Sequence, residues 1–191
     1  AYGLQPRHEP VLALVAALAI LDTVAALGLR LAGIGIRWPN DVEIGEPKLA
    51  GLLPEAIETP LGRRILIGIG LNLATCFDHA PPEVARMAVS LTSLGLESKT
   101  VADPRKVLEM ILNHLGQLLF GLASDDPMLA ERWEAADLLR GRRVRIDLGS
   151  RILRGLARGI GPDGALRIAP EDGGPLVSIA GGQVLRDRPS V

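Results

Sequence analysis

A chain of 191 residues that is 48% hydrophobic and 23% charged can bury a real core, as one large domain or one large and one small. Its net charge of −1 argues against a generally basic nucleic-acid binder, although the charge is uneven: residues 138–191 carry 10 Arg against 5 acids (+5), and residues 1–137 carry 11 basic against 17 acidic residues (−6). The single cysteine, Cys76, rules out a disulfide framework within the chain, fits a reducing cytoplasm and reads as a buried, inert thiol.

Near the start, VLALVAALAILDTVAALGL (residues 11–29) is about long enough to cross a bilayer. Asp22 near its middle is costly in lipid, so the segment reads as a helix buried against a sheet. It starts near Pro10 and ends near Gly28. Short runs bounded by Gly and Pro follow: GIGIRW, DVEIG, KLAGLLPEA and RRILIGIGLNLA. Turns at Pro39-Asn40, Gly45-Glu46-Pro47 and Thr59-Pro60-Leu61-Gly62 separate them. This predicts an antiparallel meander covered by helices, not a doubly wound sheet. Helices are then predicted over PPEVARMAVSLTSLG (81–95), DPRKVLEMILNHLGQLLFGL (103–122, with Asp103 as N-cap) and DPMLAERWEAADLLRG (126–141). From Gly141 onward, RRVRIDLG, RILRGLARGIG, ALRIAP and LVSIAGGQVLR read as four short strands that close into a small β-barrel. The expected fold is α+β, a mixed or antiparallel sheet under helices plus a C-terminal barrel, divided into 1–137 and 138–191.

Several residues could carry chemistry, each with a bland alternative. Asn40 and Asp41 after Pro39 form a turn whose side chains can bond nearby backbone. Lys48 is one of three Lys against 18 Arg, so a compact ammonium stands out in an Arg-favouring chain. Asn72 follows Gly-Ile-Gly, where missing side chains admit a ligand or simply relieve crowding. His8, His79 and His114 lack metal spacing and read as solvated or helix-surface residues. Trp38 and Trp133 read as packing anchors.

In combination the motifs are more specific. RWPND, then KLAGLL-E seven residues on, then GIGLN resembles the biotin–protein ligase family. That family's pattern is approximately K-W-P-N-D, K-[LI]-[AG]-G-I-L-x-E and G-[IV]-G-[IL]-N. Trp38, Pro39, Asn40, Asp41, Lys48, Leu49, Gly51, Glu55, Gly68, Gly70 and Asn72 match it; Arg37 replaces a Lys and Pro54 a β-former. RGIGPDGALRI and GGQVLR resemble the family's SH3-like C-terminal hairpin and closing strand, with Gln183 in place of an acid.

The resemblance implies a class II synthetase-like ligase core with an SH3-like tail, located in the cytoplasm. It also implies a two-step reaction using biotin, ATP and Mg²⁺. Biotin's carboxylate attacks the α-phosphorus, and a carrier-domain lysine of a carboxylase then takes the biotinyl group. The implied catalytic residues are Lys48, Asp41 and Asn40. Lys48, Asn40, Asn72, Gly51, Gly70 and Arg186 would contact the ligands, and no protein metal ligands are expected. A homodimer through a sheet edge is possible in this fold, while nucleic acid and membrane are not expected partners. The family's Gly/Arg-rich loop, about G-R-G-R-x-x-R, is not found before the apolar helix. The chain therefore reads as the C-terminal two-thirds of a ligase. The alternatives are an inactive ligase-like partner protein, a lipoate–protein ligase, or an SH3-like binding module on a helical body.

Overall fold

The computed structural model describes residues 2–29, 32–96 and 99–186. A 3₁₀ turn at Pro6–Val11 leads into α1 (Leu12–Ala26). This helix is apolar on nearly every side, and eleven of its residues are buried. Such a helix belongs inside a core, not on a surface, and α1 lies between the sheet on one side and the later helices on the other. Asp22, the one acid of α1, reaches the Arg132 guanidinium at 2.6 Å, which explains how a carboxylate is tolerated there.

The meander is present: β1 (Ile34–Arg37), β2 (Asp41–Ile44), β3 (Lys48–Thr59) and β4 (Gly62–Leu71) form an antiparallel sheet in sequence order. The β3–β4 hairpin turns at Pro60-Leu61, with Gly62 at φ +95°, a conformation that glycine adopts without a Cβ penalty. Next come α2 (Pro82–Met87), α3 (Pro104–Ala123) and α4 (Met128–Ala135). Asp103 caps α3 by accepting from Arg105 N–H at 3.1 Å, as its sequence position predicts.

The C-terminal part is a five-stranded SH3-like unit: β5 (Arg143–Asp147), β6 (Ile152–Ile160), β7 (Leu166–Pro170), β8 (Val177–Ile179) and β9 (Gln183–Leu185), ordered β8-β7-β6-β5-β9. It docks on the body through the β6–β7 turn. Trp38 Nε1 donates to Gly164 O at 2.9 Å and Trp133 Nε1 to Gly161 O at 3.1 Å, and both indoles are buried. A Cβ on Gly164 would sit 2.9 Å from Val11 Cγ1, and its φ is +78°, so backbone and packing both require glycine there.

Five sequence expectations need correction. The helix predicted over 126–141 ends at Ala135, because the backbone of residues 136–138 pairs with Ile36 of β1. The helix predicted over 81–95 stops at Met87, because Ala88 is extended (φ −127°, ψ 146°) and pairs with Lys48. LVSIAGGQVLR is two strands, interrupted at Gly181-Gly182, where Gly182 has φ +143°. Cys76 is exposed, not buried. His8 is buried, with its Nδ1 accepting from Gln5 N–H at 3.2 Å and its Nε2 3.4 Å from Asp125; the tertiary contact overrides its polar sequence setting.

Candidate functional site

Alternation sorts the sheet into two faces. Ile36, Val42, Ala50 and Leu52 are buried on the inner face. Arg37, Asp41, Glu43 and Gly51, linked by the pairs Arg37↔Asp41 and Asp41↔Gly51, share the outer one. Farther out on that face lie Leu53 and Glu55 of β3, opposite Gly68 and Leu66 of β4, with Gly51 opposite Gly70. Leu53 and Leu66 are both more than half exposed. The result is an open strip floored by glycine and edged by leucine.

Lys48 reaches this face through an irregularity. The β2–β3 register runs Asp41↔Gly51, Val42↔Ala50 and then Glu43↔Lys48, so Leu49 is an extra residue in β3. In an unbroken strand, residues three apart point to opposite faces; one inserted residue restores Lys48 to the side of Gly51. The Lys48 ammonium lies 2.6 Å from Asp41 Oδ1, with the lysine side chain 42% exposed and the aspartate 22%. This pair is open enough to exchange a partner for a ligand.

Two asparagines fix the surrounding backbone. The cis Trp38–Pro39 bond opens the turn. Asn40 closes it on β3: its Nδ2 donates to Leu52 O at 2.7 Å, and Leu52 N–H returns a bond to Asn40 O at 2.8 Å. Asn72 Nδ2 donates to Val89 O at 3.1 Å and Lys48 O at 3.3 Å. It thereby holds the extended strand after α2 against the start of β3. Both asparagines border the Lys48–Asp41 pair, and both use their amide nitrogens on backbone.

Arg186 comes to the same face from the SH3-like unit. Its Nη2 donates to the Glu43 carboxylate and its Nη1 to Glu46 O at 2.8 Å. Arg37 Nε lies 3.8 Å from the same carboxylate, and Glu43 is only 1% exposed. Burial pushes the Glu43 carboxyl above the ordinary carboxylate range, and the two guanidiniums pull it back. Burial likewise lowers Arg37, with Glu43 opposing it. Beside β1, where it pairs with Ile36, Asp137 accepts from Leu139 N–H at 2.8 Å, while its Oδ2 is buried without a hydrogen-bond partner. Burial raises Asp137 to about 6.

Between this clamp, α2 and the SH3-like strands lies a cavity of about 820 Å³. Arg37, Arg86, Arg142, Arg143, Arg145, Arg154 and Arg186 line it, against Glu46 and Glu171. Met87 also lines it, and the next residue, Ala88, is the one that pairs with Lys48. The uneven charge of the sequence thus becomes a basic cleft beside the lysine. Glu43 was not singled out from the sequence; an acid in a strand with both neighbours apolar was the available signal. Among the described residues, no three His, Cys, Asp or Glu are grouped to hold a metal ion.

Comparison with known proteins identifies relatives. The family described as "Biotin protein ligase C terminal domain" matches residues 140–186. A biotin–[acetyl-CoA-carboxylase] ligase of Mycobacterium tuberculosis is 35% identical over 179 residues, covering 93% of this chain and 62% of its own length. The bifunctional ligase/repressor BirA of Escherichia coli is 29% identical, covering 86% of this chain and 51% of its own. The chain thus spans about half to three-fifths of the length of these relatives. In fold it resembles the biotin protein ligase of Aquifex aeolicus, with a TM-score of 0.78 at 22% identity over 94% of this chain and 76% of that one. The structure of that ligase in complex with biotin and ATP gives a TM-score of 0.71 at 23% identity, over 94% and 70% of the two chains.

Proposed function

We propose that the chain is a member of the biotin protein ligase family and carries the nucleotide-facing part of a biotin–protein ligase site. Biotin's carboxylate oxygen attacks the α-phosphorus of ATP, the bond to the bridging oxygen breaks, and pyrophosphate leaves. The amine of a carrier-domain lysine then attacks the activated carbonyl, releasing AMP and a proton. Both first-step reactants are anions, so their approach needs fixed positive charge.

The observation that carries this reading is the Lys48 ammonium, held 2.6 Å from Asp41 on an open face. On one side is the glycine-floored strip of Gly68 and Gly70, suited to an apolar ligand approaching the backbone. On the other is the arginine cleft, suited to a phosphate chain. Lys48 stabilises the charge that develops between carboxylate and phosphate. Asp41 holds that ammonium in the free protein, and Asn40 and Asn72 keep the two backbone segments in register around it. Arg186, now on Glu43, stands at the cleft wall where it can meet a phosphate. Mg²⁺ fits as a passenger on the nucleotide's phosphates, not as a resident of a protein cage.

Replacing Lys48 by Ala in the complete protein should lower biotinyl-adenylate formation, read by pyrophosphate exchange, by about 10³-fold; near-normal exchange would remove Lys48 from the chemistry. Incubation with biotin- and lipoate-accepting carrier domains in parallel identifies the acyl group, and labelling of the biotin acceptor is expected. The reading places the protein in the cytoplasm, where ATP and carboxylases meet. The proposed division falls at 137/138, where the backbone leaves its pairing with Ile36 of β1 and enters the SH3-like unit. β4 is paired only with β3 among the described residues, and a second copy joining that edge is the geometry for a homodimer, which sedimentation equilibrium measures.

A further inference from the structure

The Lys48 side chain lies across Gly51, and this contact sets what can stand at position 51. A Cβ there would fall 2.8 Å from Lys48 Nζ, 2.9 Å from its Cε and 3.4 Å from Asp41 Oδ1. The neighbouring glycines differ. A Cβ at Gly68 would meet nothing closer than Leu53 O at 3.5 Å, and one at Gly70 nothing closer than Gly51 O at 3.8 Å. These are ordinary contacts. The backbone of Gly51 is also not in the left-handed region, unlike that of Gly62 or Gly164. Neither the strand's conformation nor the fold's packing therefore demands glycine at 51. Only the Lys48 side chain does.

We propose that Gly51 is a positioning residue: by carrying no side chain, it keeps open the channel through which the Lys48 ammonium reaches Asp41. The bulge at Leu49 puts Lys48 on this face, and Gly51 lets it lie flat there. The inference rests on the role assigned above to Lys48 and moves Gly51 from ligand contact to placement of the cation. A methyl group at 51 would displace the far end of a flexible side chain, so the sheet would remain intact and the ammonium would swing away from the carboxylate. Misplacement of a catalytic group by about 1 Å lowers rate by roughly 10²-fold.

The test combines a direct readout with a mutant cycle. The chain has only three Lys, so their ammonium groups can be resolved by side-chain ¹⁵N NMR. Gly51→Ala should shift the Lys48 resonance as Asp41→Asn does, with the melting temperature close to wild type. A Lys48 signal unchanged in Gly51→Ala overturns the proposal. In the complete protein, Gly51→Ala should lower kcat for adenylation by about 10- to 100-fold and leave KM for biotin within about twofold. Gly181→Ala, at a position with no atom within 4 Å of the added carbon, should change neither.

On a Lys48→Ala background the Gly51→Ala change should add nothing further, because the side chain it obstructs is gone. An equal loss on both backgrounds would mark Gly51 as merely structural and overturn the proposal. A displaced Lys48 signal with undiminished adenylation would leave the placement of Lys48 standing and refute its catalytic role instead.

Discussion

One sheet face carries two ion clusters of opposite character. At the open end, Lys48 and Asp41 form a pair that water reaches from the lysine side, while Asp41 Oδ1 itself is buried against the ammonium. At the covered end, Glu43 is sealed at 1% exposure between Arg37 and Arg186. Glu43 and Lys48 are cross-strand partners, so both clusters are built on the same few residues of β2 and β3. Burial decides the difference. An exposed pair contributes little to stability and can release its members to a ligand. A buried carboxylate that has lost its hydration needs its partners to remain. The open end is suited to chemistry, and the covered end fixes the SH3-like unit against the body.

The contrast can be broken most forcefully at its two acids. Glu43→Ala should destabilise the chain by about 2–3 kcal/mol, since it removes the buried carboxylate that the guanidiniums of Arg37 and Arg186 share; the denaturant midpoint measures this. Asp41→Ala should cost no more than about 1 kcal/mol by the same measurement, while impairing adenylation. Comparable stability losses at the two positions would erase the distinction.

Asp137 sharpens the contrast through pH. Its folded value of about 6 lies above the ordinary 3.8, so the folded state binds its proton more tightly than the unfolded state does. Its contribution is fully present below about pH 3.8 and is lost as pH rises through about 6. The stability difference between the wild-type chain and Asp137→Asn should therefore vary between pH 4 and 6 and level off above about pH 7; a pH-independent difference would show that the carboxyl is not desolvated.

The smallest effect belongs to the cap of α3, distant from both clusters. Asp103→Ala should lower stability by about 1 kcal/mol without altering adenylation, which makes it the baseline for a purely structural change. An adenylation defect there would show that the open end is coupled to the helical layer.

The chain's periodicity and turn residues already contain the meander, the buried first helix and the strand-rich tail, because those features are local. RWPND and KLAG also marked the open cluster. The bulge at Leu49 was not visible, since KLAGLL reads as an unbroken strand until its partner's register is known. The end of α2 was hidden in a similar way: VARMAVSL has helical apolar spacing, but Asn72 and Lys48 claim the backbone of residues 88–89 for pairing. The covered cluster was half legible. Arg186 carried a motif, whereas Glu43 acquires its meaning only when a residue 143 positions later lands on it. Buried ion clusters assembled across domains have no local signature.

The docking of the SH3-like unit has an optical consequence. Both indoles of the chain, Trp38 and Trp133, are sealed by carbonyls of one turn, Gly164 and Gly161. Any event that lifts that turn from the body hydrates both fluorophores together. A red shift and quenching of the intrinsic emission would then track interdomain separation in real time, with no dye or label attached.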